Sequence, residues 1–223
     1  MTPQLSFDQS LREHIRRNLE KHRVQGLDAD GQRRAAIAFT LVNASERANI
    51  GNLDFDESQR DDAAYILTTR ASSLSSHAGQ RAYPGGRIDA SESAQQAALR
   101  ELAEEVGLEL DSGSILGRLD DYATRSGFVI SPFVVWGGRD VNLVANPAEV
   151  EMIHRVPLRE LLREDLPLLD SIDESPHPVL RMPLGDDWFA APSAAIAYQF
   201  REVALLGRCT RVAHFEQPYF AWQ

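Results

Sequence analysis

The segment Glu92–Leu108 constrains the fold of this chain more than any other. Over residues 92–106 the spacing predicts a helix with Leu99, Leu102 and Val106 on one face and Glu101, Glu104 and Glu105 on another. Gly107 is placed to end it. The apolar face of such a helix can pack against a sheet. Its acidic face then carries three like charges at i, i+3 and i+4, each pair costing a few tenths of a kcal/mol unless a cation lies among them. Carboxylate oxygens are hard ligands, so the cation that suits them is Mg2+ or Mn2+. A bare E-x-x-E-E is also compatible with a solvated helix face.

The rest of the chain supplies the sheet. Residues 33–43 (RRAAIAFTLVN), 63–70 (AAYILTTR), 113–120, 127–136 and 149–156 read as strands. Residues 5–24 read as a helix, with Phe7, Leu11, Ile15 and Leu19 four apart and Gly26 as a stop. Leu158–Arg163 reads as a short helix and 193–206 as a longer one, with Ser193 as N-cap and Gly207 as C-cap. The polar segments 44–62 and 71–86 and the proline-rich segment 164–192 read as loops, and 211–215 as a short strand. The pattern predicts an α/β (α+β) chain of one unit. It has a helical extension over 1–30, a core over 33–165 and an elaboration over 166–223.

Composition narrows the partners. A formal charge of −10 disfavours nucleic acid or an anionic membrane as a general partner. An anionic substrate would have to meet local cations or metal ions. The one cysteine, Cys209, excludes an internal disulfide. No run approaches the ~20 apolar residues of a membrane span. The first residues, with Asp8 and Glu13 among them, lack the basic and apolar regions of a signal sequence, so a cytoplasmic protein is expected. The sequence leaves a homodimer open.

From Gly86 to Leu108 the chain fits G-x5-E-x7-R-E-U-x-E-E-x-G-U at every specified position, U being a bulky aliphatic residue. Chance gives such a match on the order of once in ten million chains of this length. Here the sequence resembles the Nudix hydrolase family. The resemblance implies an α/β/α sandwich, with a mixed central sheet and a loop–helix–loop motif. It implies Glu101, Glu104, Glu105 and the Gly85 carbonyl as metal ligands, Arg100 as the group orienting Glu101, and Glu92 as a brace for the loop. The implied reaction is Mg2+- or Mn2+-dependent attack of water on a pyrophosphate in a small nucleotide-diphosphate substrate. The base is Glu105 or Glu104, or a later glutamate, for which Glu149 and Glu151 are candidates.

Ahead of this motif, residues 67–86 (LTTRASSLSSHAGQRAYPGG) resemble the signature of the coenzyme A pyrophosphatase branch, approximately L-L-T-x-R-[SA]-x3-R-x3-G-x3-F-P-G-G. Tyr83 replaces Phe, and Ser75 replaces the second Arg. CoA carries a 3′-phosphate besides its pyrophosphate, so its site needs several cations, and Arg meets phosphate bidentately. Arg70 is the first candidate, with His77, Arg81 and Arg87 beside it. The implied products are 3′-phosphoadenosine 5′-phosphate and 4′-phosphopantetheine or its acyl form. Two alternatives stand: a pyrophosphatase of ADP-ribose or NADH, and a non-catalytic nucleotide-binding module. Trp188, Tyr198 and Phe200 read as core, with stacking on adenine as the other option.

Overall fold

The computed structural model describes residues 4–29, 31–45, 53, 57–74 and 78–218. The central strand is β1 (Arg33–Asn43), buried without a break from Ala35 to Asn43. Ala36, Ala38 and Val42 point to one face of the sheet, and Ile37, Phe39 and Leu41 to the other; all are buried. β7 (Phe128–Gly138) pairs with β1 in parallel along nearly its whole length. The other pairings are antiparallel. β2 (Ala63–Arg70) pairs with β1 through Ala63–Tyr65, and β8 (Val150–Pro157) pairs along the length of β2. β3 (Arg81–Ala82) pairs with Thr68 and Thr69 of β2. β4 (Gly85–Arg87) takes the Ala35–Ile37 end of β1. β5 (Ile115–Arg118) and β6 (Tyr122–Ala123) pair with β7 and complete an eight-stranded mixed sheet.

Each face of this sheet is covered. α2 (Ala94–Val106) buries Ala97, Ala98, Leu102 and Val106 against the small Ala36/Ala38 face of β1. It begins two residues later than the sequence suggests. Ser93 is the N-cap, and its hydroxyl and the Gln96 side chain form a reciprocal capping box. The helix ends where Gly107 takes the left-handed conformation, φ 70°.

The opposite, aromatic face receives α1 (Gln9–Lys21) and α3 (Ser193–Gln199), which widens into a π-helix over Phe200–Leu205. Leu11, Ile15 and Leu19 of α1 are buried there, each side chain worth about 1.5–3 kcal/mol of burial. Phe39 stacks on Phe200 at 4.1 Å and on Tyr65 at 5.1 Å. The layers are helix, mixed sheet, helices, as the sequence predicts.

Five expectations change. The segment 71–86 is not wholly a loop, since β3 and the start of β4 lie within it and pair with β2 and β1. α1 is shorter than 5–24: Asp8 caps it, and Phe7 N–H and Leu5 C=O instead bond to Asp61 and Ala63. At its other end His22 leaves the helix and reaches Asp120 at 3.0 Å. The segment 164–192 is not a loop. It holds a second antiparallel sheet of β9 (Leu168–Ile172), β10 (Ser175–Leu184) and β11 (Asp187–Ala190). Pro192 rather than Ser193 stands at the N-cap of α3, and the Ser193 hydroxyl donates to Arg81 C=O. Residues 211–215 form no strand; Val212 is buried, and Glu216 makes a single bridge to Val179. Most of the expected loop 44–62 lies outside the described residues. Among those described, no helix is long and apolar enough to cross a membrane.

Candidate active site

β1 changes partner at Ala38, from β2 to β4, with Ala38 N–H donating to Pro84 C=O at 2.9 Å. Residues at this fork line a cavity of about 660 Å³: Ala35 and Ile37 of β1, Thr69 and Arg70 of β2, and Gly85–Arg87 of β4. Gly85 sits against β1, with its N–H directed at Glu105 of α2, and Gly86 sits against Glu101 of α2, so closely that neither has room for a side chain. A Cβ on Gly85 would lie 2.5 Å from Ala36 O, and one on Gly86 2.5 Å from Glu101 Cδ. The acidic face of α2 therefore lies directly behind the glycines that line the cavity.

Glu101, Glu105 and Glu149 each offer a carboxylate oxygen, all within 4.8 Å of one another. α2 supplies the first two. Glu149 is brought in by a loop that follows the end of α2: Val144 N–H donates to Val106 C=O and Asn146 N–H to Glu105 C=O. Ala71 N–H then fixes the Glu149 carbonyl at 2.8 Å. Glu151 lies exposed on β8. Glu104 stands apart from the trio; it is exposed and pairs with Arg100 at 2.9 Å.

Arg100 organises the helix start. Its Nε and Nη2 bind both oxygens of Glu92, at 3.1 and 2.8 Å, and its Nη1 reaches Glu101 at 3.0 Å. Nη2 also donates to Arg87 C=O at 3.1 Å, while Glu92 accepts from Asp89 N–H at 2.9 Å. The hydrogen bonds to Arg100 hold the Glu92 carboxyl below its usual range, and those carboxylates in turn raise Arg100.

The trio is electrostatically unlike these paired groups. Burial pushes the Glu105 carboxyl up to about 8, Glu101 and Glu149 adding to the effect and a long 3.5 Å hydrogen bond from Gly85 N–H opposing it. Burial also raises Glu101, against the pull of Arg100. Among the described residues no cationic side chain hydrogen-bonds to Glu105. Buried, crowded, hard oxygen donors of this kind fit Mg2+ or Mn2+.

The candidate cations gather at the same cavity. Arg70, Arg81 and Arg87 all line it. Arg70 Nε is buried without a hydrogen-bond partner, and its charge acts on Glu105. Arg81 is already paired, to Asp187 at 2.8 Å. Arg87 is exposed at the rim, 5.7 Å from the Phe128 ring. His77 and Ser75 lie outside the described residues.

The far wall comes from the segment that reads as a loop in the sequence. It is built by the β10–β11 hairpin and includes Asp187, Trp188 and Phe189. Trp188, read from sequence as core, is 39% exposed there, whereas Phe200 is fully buried. The missed signal was Gly185 between two hydrophobic runs, a hairpin turn hidden among prolines.

The model of the NUDIX domain matches residues 46–176, more than half of the chain. The chain belongs to the Nudix hydrolase family. Among similar proteins, Nudix hydrolase 3 of Caenorhabditis elegans is 29% identical over 167 residues, covering 71% of this chain and 63% of its own. The uncharacterized Nudix hydrolase NudL of Photorhabdus laumondii is 41% identical over 98 residues, 44% of this chain and 52% of its own. The chain thus spans about half to two thirds of the length of these Nudix relatives. A crystal structure of a MutT/nudix family protein from Enterococcus faecalis aligns with a TM-score of 0.47 and 14% identity, over 77% of this chain and 54% of that one.

Proposed function

We propose that this Nudix chain hydrolyses the pyrophosphate bond of CoA or acyl-CoA with a divalent cation, Mg2+ or Mn2+. The products are 3′-phosphoadenosine 5′-phosphate and 4′-phosphopantetheine or its acyl form. One observation carries the reading: the Glu101/Glu105/Glu149 cluster lies behind Gly85 and Gly86, which line a cavity shared with Arg70, Arg81 and Arg87.

In this reading Glu101 and Glu105 hold the cation, with the Gly85 backbone beside them. The bound cation offsets the charge that develops on the leaving phosphate oxygen. Arg70 binds a phosphate through the guanidinium whose Nε has no protein partner. Glu149 takes the proton of the attacking water, since it comes from a separate loop and is less buried than Glu105. Arg100 is a positioning residue: it fixes Glu101 and ties α2 to the glycine turn. Glu104, at the rim of the same face, adds negative charge near the cation.

A second reading has a specific observation in its favour. Arg81 is neutralised by Asp187, and Ser75 stands where the CoA branch has an arginine, which leaves fewer cations for a 3′-phosphate. ADP-ribose or NADH would need fewer. A non-catalytic nucleotide-binding module is the third alternative, which the crowding of buried carboxylates disfavours. Offering CoA, ADP-ribose and NADH at equal concentration with Mg2+, and identifying products by mass, separates the three. The proposal expects CoA to be consumed fastest. Preference for ADP-ribose or NADH would replace the substrate, and no cleavage with either Mg2+ or Mn2+ would favour the binding module.

A further inference from the structure

The substrate class above has a nucleobase, and the carboxylate cluster and arginines account only for its phosphates. Among the described residues of the cavity wall, Trp188 is the aromatic side chain most open to solvent, at 39% exposure, with Phe128 only partly exposed. A tryptophan exposed by chance would be free to move. This one has one ring face braced by a cation and its backbone tied down by an ion pair. Arg181, its diagonal neighbour across β10–β11, stacks its guanidinium 4.2 Å from the ring centroid, and Arg181 in turn pairs with Asp170 of β9 at 2.6 Å. Asp187 accepts from the Trp188 backbone N–H at 2.8 Å with one oxygen and pairs with Arg81 of β3 with the other. Arg81 also reaches Trp188 C=O at 3.4 Å. The hairpin is thereby fastened to the main sheet at the strand that borders the proposed phosphate site. A ring braced on one face by a cation and bordering a cavity is a prepared stacking surface.

We propose that Trp188 is the platform on which the substrate's nucleobase stacks, with Arg181 and the Arg81–Asp187 pair as its positioning groups. The inference rests on the proposed activity for the identity of the ligand, but its test does not need turnover. A base offers a π-face to an aromatic platform, and loss of such a platform weakens binding roughly 10- to 100-fold.

The experiment is calorimetric titration of the full chain, wild type, W188F and W188A, with AMP and with ribose 5-phosphate, which lacks the base. The expected result is AMP binding weakened about tenfold or more in W188A and by only a few-fold in W188F, with ribose 5-phosphate unchanged in all three. Equal AMP affinity in wild type and W188A would overturn the inference. So would parallel weakening of both ligands, which marks a structural role, or failure of the wild type to bind AMP. The two proposals fail separately. A protein that cleaves CoA but binds AMP without regard to Trp188 loses this inference alone. One that binds AMP through Trp188 but cleaves no pyrophosphate loses the proposed activity alone.

Discussion

Replacing Gly86 by alanine isolates the geometry of the carboxylate cluster from the stability of the fold. The backbone at Gly86 is not in the left-handed region, so an L residue fits its dihedral angles. The new Cβ, however, would stand 2.5 Å from Glu101 Cδ and nearer still to Oε1. Carbon atoms in contact need about 3.5 Å, so the carboxylate must retreat by about 1 Å. Glu101 is the end of a flexible side chain and can do so without unfolding the protein. In retreating it leaves the cluster with Glu105 and Glu149 and strains its 3.0 Å bond to Arg100. Disturbing the support of a metal ligand typically costs about 10- to 100-fold in affinity, and an ångström of misplacement about 100-fold in rate. Titration with Mn2+ followed by electron paramagnetic resonance, beside a thermal melt without metal, reads both effects. Gly86→Ala should weaken Mn2+ binding at least tenfold with little change in Tm. Gly85→Ala should behave oppositely in the melt, because its Cβ meets the β1 backbone at Ala36 O and Ile37 Cα, and overpacking of that kind costs about 1–3 kcal/mol. Unchanged Mn2+ affinity in a folded Gly86→Ala protein would refute the placement of Glu101 at the cation.

Arg70→Ala should raise KM for CoA more than KM for ADP-ribose, and equal effects in steady-state kinetics would remove Arg70 from recognition of the extra phosphate. Asp187→Asn frees Arg81 of its counter-charge and should lower KM for CoA several-fold while leaving that for ADP-ribose nearly constant; a rise for both would show that Asp187 serves the hairpin instead. Glu216 offers a pH test away from the cluster. Its hydrogen bonds from Arg125, at 3.0 and 2.5 Å, hold its carboxyl down to about 2. A carboxyl lowered on folding contributes stability that is present above its ordinary value near 4.5 and is lost as pH falls toward 2. Glu216→Gln should therefore lower Tm at pH 6, by about 2 kcal/mol of stability, and by much less at pH 3. The same loss at both values in calorimetry would contradict the assignment.

How much of this was legible beforehand depended on where local pattern and tertiary demand agree. β1 was read to the residue because every side chain from Ala35 to Asn43 is buried on one face or the other. α2 carried its own signals: an apolar face, an acidic face and a terminal glycine. The β9–β11 sheet was hidden by proline, which ordinarily argues against a central strand. β10 escapes that argument in two ways. Pro176 and Pro178 fall where its ladder to β9 skips from Ser175 to Val179, and Pro183 lies beyond the end of β9 pairing. Trp188 reads as core for the same reason, since a residue in an unplaced loop has no cavity to face. Glu149 was a candidate only by resemblance. Its approach to Glu105 depends on backbone bonds from Val144 and Asn146 that no periodicity encodes. Glu104 shares the helix face of Glu101 by its i+3 spacing, and its carboxylate pairs with Arg100.

The most direct test of the central claim is anomalous diffraction from a crystal of the protein soaked in Mn2+. A peak is expected at the oxygens of Glu101 and Glu105, bordered by Glu149 and the Gly85 backbone. A peak elsewhere, or none among these carboxylates in crystals that retain the cavity, would contradict it.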